Sequence, residues 1–277
     1  MKRIKTIVVA CFLILAGMLQ ACNTKDNSWT FAGTTDFEGT VFLYQIDHDL
    51  QANLIDSTGI EKGKFSFESS NLNDRLTPYK VVFNQPKNIG IEFLIKDGEK
   101  LKASIKNEFN VSYSGTPIAK TYNKFVEFHA EEMKNLMEFK QKVSDNSLSP
   151  EEVSAEMLLY REKAQDLENE KISFIKTILN PELNSYLVLH EAIVSGTVEK
   201  EVFGKYVNAL TPEGSMTNNG HKVHQIYEDF EAYALSREME ILDTTTIRKR
   251  YNQLDEESKS SDFAKKVEQH LLHYKTE

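Results

Sequence analysis

Val111-Ser112-Tyr113-Ser114-Gly115-Thr116-Pro117-Ile118-Ala119 is where the texture of this 277-residue chain changes. Up to Ser114 the segments are short and alternate apolar with polar residues, as a strand with one buried face does. From Ala119 apolar residues recur at steps of three and four, as on one stripe of a helix. Gly115 and Pro117 end the last strand, so the boundary between a β part and an α part falls here.

Working back from that boundary, seven or eight short segments read as strands. Trp29 to Gly33 and Thr40 to Ile46 are rich in β-branched and aromatic residues, with Asp36-Phe37-Glu38-Gly39 as a turn between them. Asn53 to Thr58 leads into Gly59 to Glu68, where Phe65 and Phe67 alternate with polar neighbours. Tyr79 to Phe83, Ile89 to Ile95, Leu101 to Ile105 and Val111 to Ser114 complete the set, and Lys96-Asp97-Gly98-Glu99 reads as a hairpin turn. Such spacing without helical crossovers predicts an antiparallel sandwich or a partly open barrel.

Working forward, Tyr122, Phe125, Val126, His129, Met133, Leu136, Met137 and Val143 share one helical stripe. Ser149-Pro150-Glu151-Glu152 starts a second helix with a capping Ser, a Pro at the first helical position and a Glu three residues after the cap. Its stripe runs to about Leu179, interrupted by Lys171; at 1.5 Å per residue this is a rod of about 45 Å that only other helices would cover. Asn180-Pro181-Glu182 restarts a helix through Val194, and Glu199 to Leu210 makes another. Asn218-Asn219-Gly220 reads as a turn before His221 to Leu242, and Thr245 to Leu254 and Ser261 to Tyr274 supply the last two helices. The expected class is α+β, an N-terminal β-sandwich or partly open barrel over 29–116 followed by a helical bundle over 117–277.

The N-terminus carries an address. Met1-Lys2-Arg3-Ile4-Lys5 is basic, Thr6 to Leu19 is apolar but too short to span a bilayer, and Leu19-Gln20-Ala21-Cys22 closes the run. This resembles a bacterial lipoprotein signal. The resemblance implies that residues 1–21 are removed, that Cys22 is acylated, and that 22–28 tether a chain held at the cell envelope by several acyl chains. Asn23, where some bacteria place an inner-membrane Asp, favours the outer membrane in a Gram-negative host. The net charge of −9 becomes −12 once the three basic residues of the signal are gone, which works against nucleic acid and anionic headgroups as partners. Cys11 and Cys22 are the two cysteines, the first in the signal and the second a thioether, so the folded part is expected to lack disulfides, thiolate metal sites and cysteine nucleophiles.

Several stretches together resemble a known β domain. Gly39 to Tyr44, Ile55-Asp56-Ser57-Thr58, Gly63-Lys64-Phe65-Ser66-Phe67, Phe93 to Glu99 and Ser114-Gly115-Thr116-Pro117 are similar, in order and wording, to the N-terminal domain of unknown function of lipoprotein thiol-disulfide oxidoreductases. Asn184 to Leu189 and Tyr251 to Lys266 resemble the helices that follow it there. Those family members continue into a thioredoxin-like domain with a Cys-x-x-Cys site; this chain stops at Glu277 before it, so the redox chemistry is not expected to transfer.

Clusters of reactive side chains each have a plain explanation. His221, His224 and Glu228 stand at i, i+3 and i+7 and are weak candidates for metal ligands, a solvated helix turn being the simpler reading. His270 and His273 suit the C-terminal end of a helix dipole, and His129 on its apolar stripe suits a core or rim position. Glu131-Glu132, Glu151-Glu152, Asp255-Glu256-Glu257, Glu168 and Glu170 read as solvated surface, and Asp47-His48-Asp49 as a polar loop without a nucleophile. Trp29, Phe31, Phe37, Phe42 and Tyr44 read as sheet core before ligand platform. The expectation is a lipid-anchored extracytoplasmic protein that binds or scaffolds a protein partner in the envelope, with no catalytic residue and no cofactor assigned. The alternatives are a carboxylate-based hydrolase and an accessory that positions a separate thioredoxin-like protein.

Overall fold

A computed structural model describes residues 28–47, 51–70, 75–85, 89–144, 148–194 and 199–273. Cys22, the signal and most of the tether lie outside them, as do His48 and Asp49. The class is α+β, with eight strands preceding the helices. The chain packs as two compact units, one ending at Val126 and the other beginning at Glu127. No helix among the described residues is long and apolar enough to cross a membrane.

The strands are β1 (Trp29–Thr35), β2 (Thr40–Ile46), β3 (Ala52–Gly59), β4 (Lys64–Ser69), β5 (Thr77–Phe83), β6 (Ile89–Ile95), β7 (Lys100–Asn107) and β8 (Asn110–Ser114). They form two four-stranded sheets, ordered β4-β1-β7-β8 and β3-β2-β5-β6. Alternation along most of the strands fills one core, with Trp29, Phe31, Val41, Leu43, Phe65, Val81, Phe83, Phe93 and Ile105 all buried, while the edge strand β3 contributes no buried residue. Phe31 stacks on Phe93 at 4.0 Å between ring centres, and Trp29 meets Tyr79 at 4.6 Å. Trp29 and Phe31 are thus core, as alternation predicts, while Phe42 and Tyr44 are half-exposed. Gly33 makes room for this packing, because a Cβ there would lie 2.1 Å from the Phe65 ring.

Two expectations about the strands change. Asp97-Gly98 forms a turn, but β6 and β7 lie in different sheets, so it is a corner between sheets and not a hairpin. The reason is β1: Gly98 N donates to Ser28 O and Thr30 N to Glu99 O, which captures the chain leaving the turn. β7 then pairs in parallel with β1, from Thr30 opposite Lys100 to Thr35 opposite Ile105, the one parallel pair among the described residues in a fold read as antiparallel.

The helices are α1 (Ala119–Val143), α2 (Pro150–Lys176), α3 (Pro181–Val194), α4 (Lys200–Val207), α5 (Pro212–Ser215), α6 (Asn218–Glu228), α7 (Phe230–Glu238), α8 (Thr244–Gln253), α9 (Glu256–Ser260) and α10 (Asp262–His273). The first two turns of α1 stay with the β unit: Asn123 exchanges side-chain hydrogen bonds with both backbone groups of Tyr113, at 2.7 and 2.8 Å, and Tyr122 donates to Glu92 O. α2 opens on the expected capping box, with Glu152 N donating to Ser149 Oγ and Ser149 N to a Glu152 carboxylate oxygen. Asn218-Asn219-Gly220 is the first turn of α6 and not a free turn, since Thr217 caps it and Gly220 lies against the Gly214-Ser215 backbone, where a Cβ would be 2.1 Å from Gly214 O. The helix expected over His221 to Leu242 breaks at Asp229 into α6 and α7.

α3 is the centre of the helical unit, with Leu183 and Tyr186 to Leu189 buried. Asn184, also buried, donates to Ile175 O and Ala209 O and accepts from Thr211 N, clipping the ends of α2 and α4 to α3 with its amide satisfied on both sides. By contrast α1 and α2 leave this core as an antiparallel hairpin, marked by Phe128 against Phe174 at its root, Phe139 stacked on Tyr160 and Lys142 paired with Glu156 toward its tip. No described residue from 129 to 170 is buried, so the rod expected to be covered by other helices is covered only at its root.

Candidate functional site

The root of that hairpin holds a cluster of ionisable groups. His129 and Glu132 stand one turn apart on α1, Lys171 projects from α2 between apolar Ile172 and its neighbours, and His190 and Glu191 sit on α3. Lys171 is 3% exposed and Glu191 2%, values a charged side chain reaches only when paired. The Lys171 ammonium binds Glu132 at 2.5 Å and also Glu191. His129 lies between the same two carboxylates, Nδ1 3.0 Å from Glu132 Oε2 and Nε2 3.0 Å from Glu191 Oε1. His190 Nδ1 approaches Glu191 Oε1 at 3.2 Å. Tyr206 of α4 donates to Glu168 of α2.

The protonation states follow from these pairings. Burial raises the Glu191 carboxyl, but hydrogen bonds to His129 and His190 and the Lys171 charge outweigh it and hold the group well below its ordinary range. Glu132 is lowered on balance in the same way by His129 and Lys171. Burial alone would lower Lys171 and His129; the two carboxylates reverse that and raise both. Burial and the surrounding carboxylates push the Tyr206 hydroxyl upward. The carboxylates are therefore held ionised and the amine protonated, which suits neither a general acid pair nor a lysine nucleophile. What the arrangement does well is hold positive charge.

The sequence-derived candidates lie elsewhere or in other roles. His221 and Glu228 are exposed and His224 half-buried along α6; among the described residues the group with ligand atoms within 4.8 Å of one another is instead His129, His190 and Glu191. His270 and His273 occupy the last turn of α10. Glu131 pairs with Lys134 on the surface while Glu132 joins the cluster, so adjacent carboxylates read as one solvated pair have separate fates. Asp255 caps α9 through Ser258 N, and Asp47 accepts from Gln51 N and Asn53. Sequence reasoning noticed Lys171 as an interruption and passed over His190 and Glu191. The signal was there: a lone Glu inside the apolar run Tyr186-Leu187-Val188-Leu189-His190-Glu191-Ala192-Ile193 demands a buried partner.

A depression of about 850 Å³ on the β unit is lined by Ala32, Thr34, Ser66, Lys102, Ser104 and Ser112 among others. Those six side chains are exposed and mostly short, and the lining gathers no facing carboxylates of the kind a glycosidase needs. No family model and no curated protein matches the chain.

Proposed function

We propose that this is a lipid-anchored binding protein of the cell envelope whose α1–α2 hairpin receives a basic amphipathic helix of a protein partner. The observation that carries the reading is the apolar surface the hairpin leaves uncovered. At 100° per residue, Met157-Leu158-Leu159-Tyr160 wraps most of the way around α2. Tyr160 faces Phe139 of α1, so Leu158 and Leu159 point away from the seam; they are 58% and 51% exposed, and Met157 beside Leu158 is 39% exposed. A run of exposed apolar residues on a two-helix hairpin is a helix-docking surface, and methionines adapt to the shape that docks.

Charge selects the occupant. Residues 129–170 hold Lys134, Lys140, Lys142, Arg161 and Lys163 against eleven acidic residues. An anionic lipid surface or a second copy of the hairpin would meet like charge, whereas a helix with basic flanks gains steering and specificity. The lipid anchor proposed at Cys22 rests on the signal pattern and would hold the hairpin at the envelope, and the negative charge of the chain works against nucleic acid as an occupant.

A photo-crosslinking residue at position 158, and separately at 159, in native membranes tests this. Crosslinks from both positions to one protein, through a peptide that is apolar on one helical face and basic beside it, support the assignment. Crosslinks to a second copy of the chain, to lipid alone, or to nothing at either position reject it.

A further inference from the structure

We propose that His129 Nε2, His190 Nδ1 and Glu191 Oε1 form a site for a divalent transition metal of the zinc class at the root of the α1–α2 hairpin. This goes beyond the partner surface and does not depend on it. The three atoms lie within 4.8 Å of one another, with Glu191 Oε1 3.0 Å from one ring nitrogen and 3.2 Å from the other. Ligands 2.0–2.1 Å from a tetrahedral ion stand about 3.3 Å apart, so Glu191 Oε1 needs to open from each ring nitrogen by only a few tenths of an ångström, while the two rings, whose nitrogens are no more than 4.8 Å apart, close on the ion by rotation of their side chains.

The surroundings are those of a supported metal site. Glu132 Oε2 faces the other nitrogen of His129 at 3.0 Å, a carboxylate–histidine pairing that fixes the ring and turns Nε2 toward the ion. Lys171 holds Glu191 through its second oxygen and Glu132 as well, which orients both carboxylates and leaves Oε1 of Glu191 for the metal. With both rings neutral, Lys171 offsets one of the two carboxylates and the cluster keeps one negative charge, the sign that attracts a cation. The side chains of His129 and His190 are 31% and 18% exposed, so an ion reaches the site from solvent past the rings.

Donor type sets the class of ion. Two imidazoles and one carboxylate suit Zn(II), Co(II), Ni(II) or Cu(II) over Ca²⁺ or Mg²⁺, which take oxygen ligands, and without thiolates the set is poor for Cu(I). Three protein ligands leave a coordination position to water or to an atom of a bound molecule. An ion here ties α1 to α3 and so stiffens the base from which the hairpin extends.

The full chain, in detergent and carrying Cys11→Ser and Cys22→Ser so that no thiol competes, is dialysed against Co(II) or Zn(II). The expected result is one retained equivalent, intense visible Co(II) bands of low coordination number, and hyperfine-shifted ring protons from His129 and His190. His190→Gln, at the half-exposed edge of the cluster, should lower affinity by roughly 100-fold or more, and Glu132→Gln by about 10- to 100-fold, with unchanged circular dichroism. A His221→Gln/His224→Gln chain should bind as the parent does. Retention of no ion, equal retention after His190→Gln, or loss confined to the α6 histidine variant would overturn the assignment. The hyperfine shifts are read on the unaltered site, so a variant that fails to fold does not remove the test.

Discussion

Lys171 is enclosed by two carboxylates, and removing it leaves the buried charge of Glu191 without its ammonium partner beside the half-exposed Glu132. Lys171→Met should therefore cost about 3–5 kcal/mol of unfolding free energy, and Lys171→Met/Glu191→Leu should recover a large part of it, since breaking a buried pair is far more damaging than replacing it whole. Chemical denaturation of the three proteins checks this. The same cluster gives the metal-free protein a signed pH dependence. His129, with Glu132, Glu191, His190 and Lys171 around it, has its pKa raised above 6.5 on balance, so its contribution is present below pH 6.5 and is lost as pH rises through the raised folded value. Glu132 and Glu191 are lowered from 4.5, so theirs is present above 4.5 and is lost as pH falls through the folded values. Chelator-treated protein should melt highest between about pH 5 and 6.5, and the decline above 6.5 should vanish in His129→Gln. At this scale the sequence exposed half of the cluster. Lys171 broke an apolar stripe and His129 lay on one, but Glu191, the buried partner they share, comes from α3, and which distant residue answers a buried charge is decided by packing that no local pattern records.

The elements were legible where a local rule sets them. Ser149, Pro150 and Glu152 announce the start of α2, and the capping box forms; Ser149→Ala should cost about 1 kcal/mol by denaturation. Gly115 is held at φ +97°, and a Cβ there would lie 2.2 Å from Lys100 O, so Gly115→Ala should be more damaging than the loss of the cap. Legibility failed where an element's fate depends on a remote strand or helix. Asp97-Gly98 specifies a reversal of direction, not which sheet the next strand joins, and β1 decides that. Asn218-Asn219-Gly220 has turn composition, yet Thr217 and the backbone of Gly214 and Ser215 make it a helix start. The hairpin is the clearest case of an element shaped for something outside itself: Leu158→Lys should change stability by no more than about 0.5 kcal/mol, because the site is already exposed, while abolishing the crosslink from position 159 in membranes.

For the whole molecule, the change of period across Ser114 to Ala119 anticipated a β part and an α part, and the division between the two compact units falls within α1, whose first turns the β unit retains through Tyr122 and Asn123. The β unit spends its aromatic residues on its own core, whereas the helical unit leaves apolar residues and negative charge on the hairpin, which is why partner binding is assigned there. The most direct measurement is the affinity of the partner captured by crosslinking for three versions of the full chain: unaltered, Leu158→Lys, and Lys64→Glu/Lys102→Glu on the exposed face of the β unit. The account predicts a loss of at least about 30-fold, near 2 kcal/mol, for Leu158→Lys, a binding constant that weakens with added salt, and no change for the β-unit variant. A partner that binds Leu158→Lys as tightly as the parent and is lost with Lys64→Glu/Lys102→Glu would place the binding surface on the β unit and contradict it.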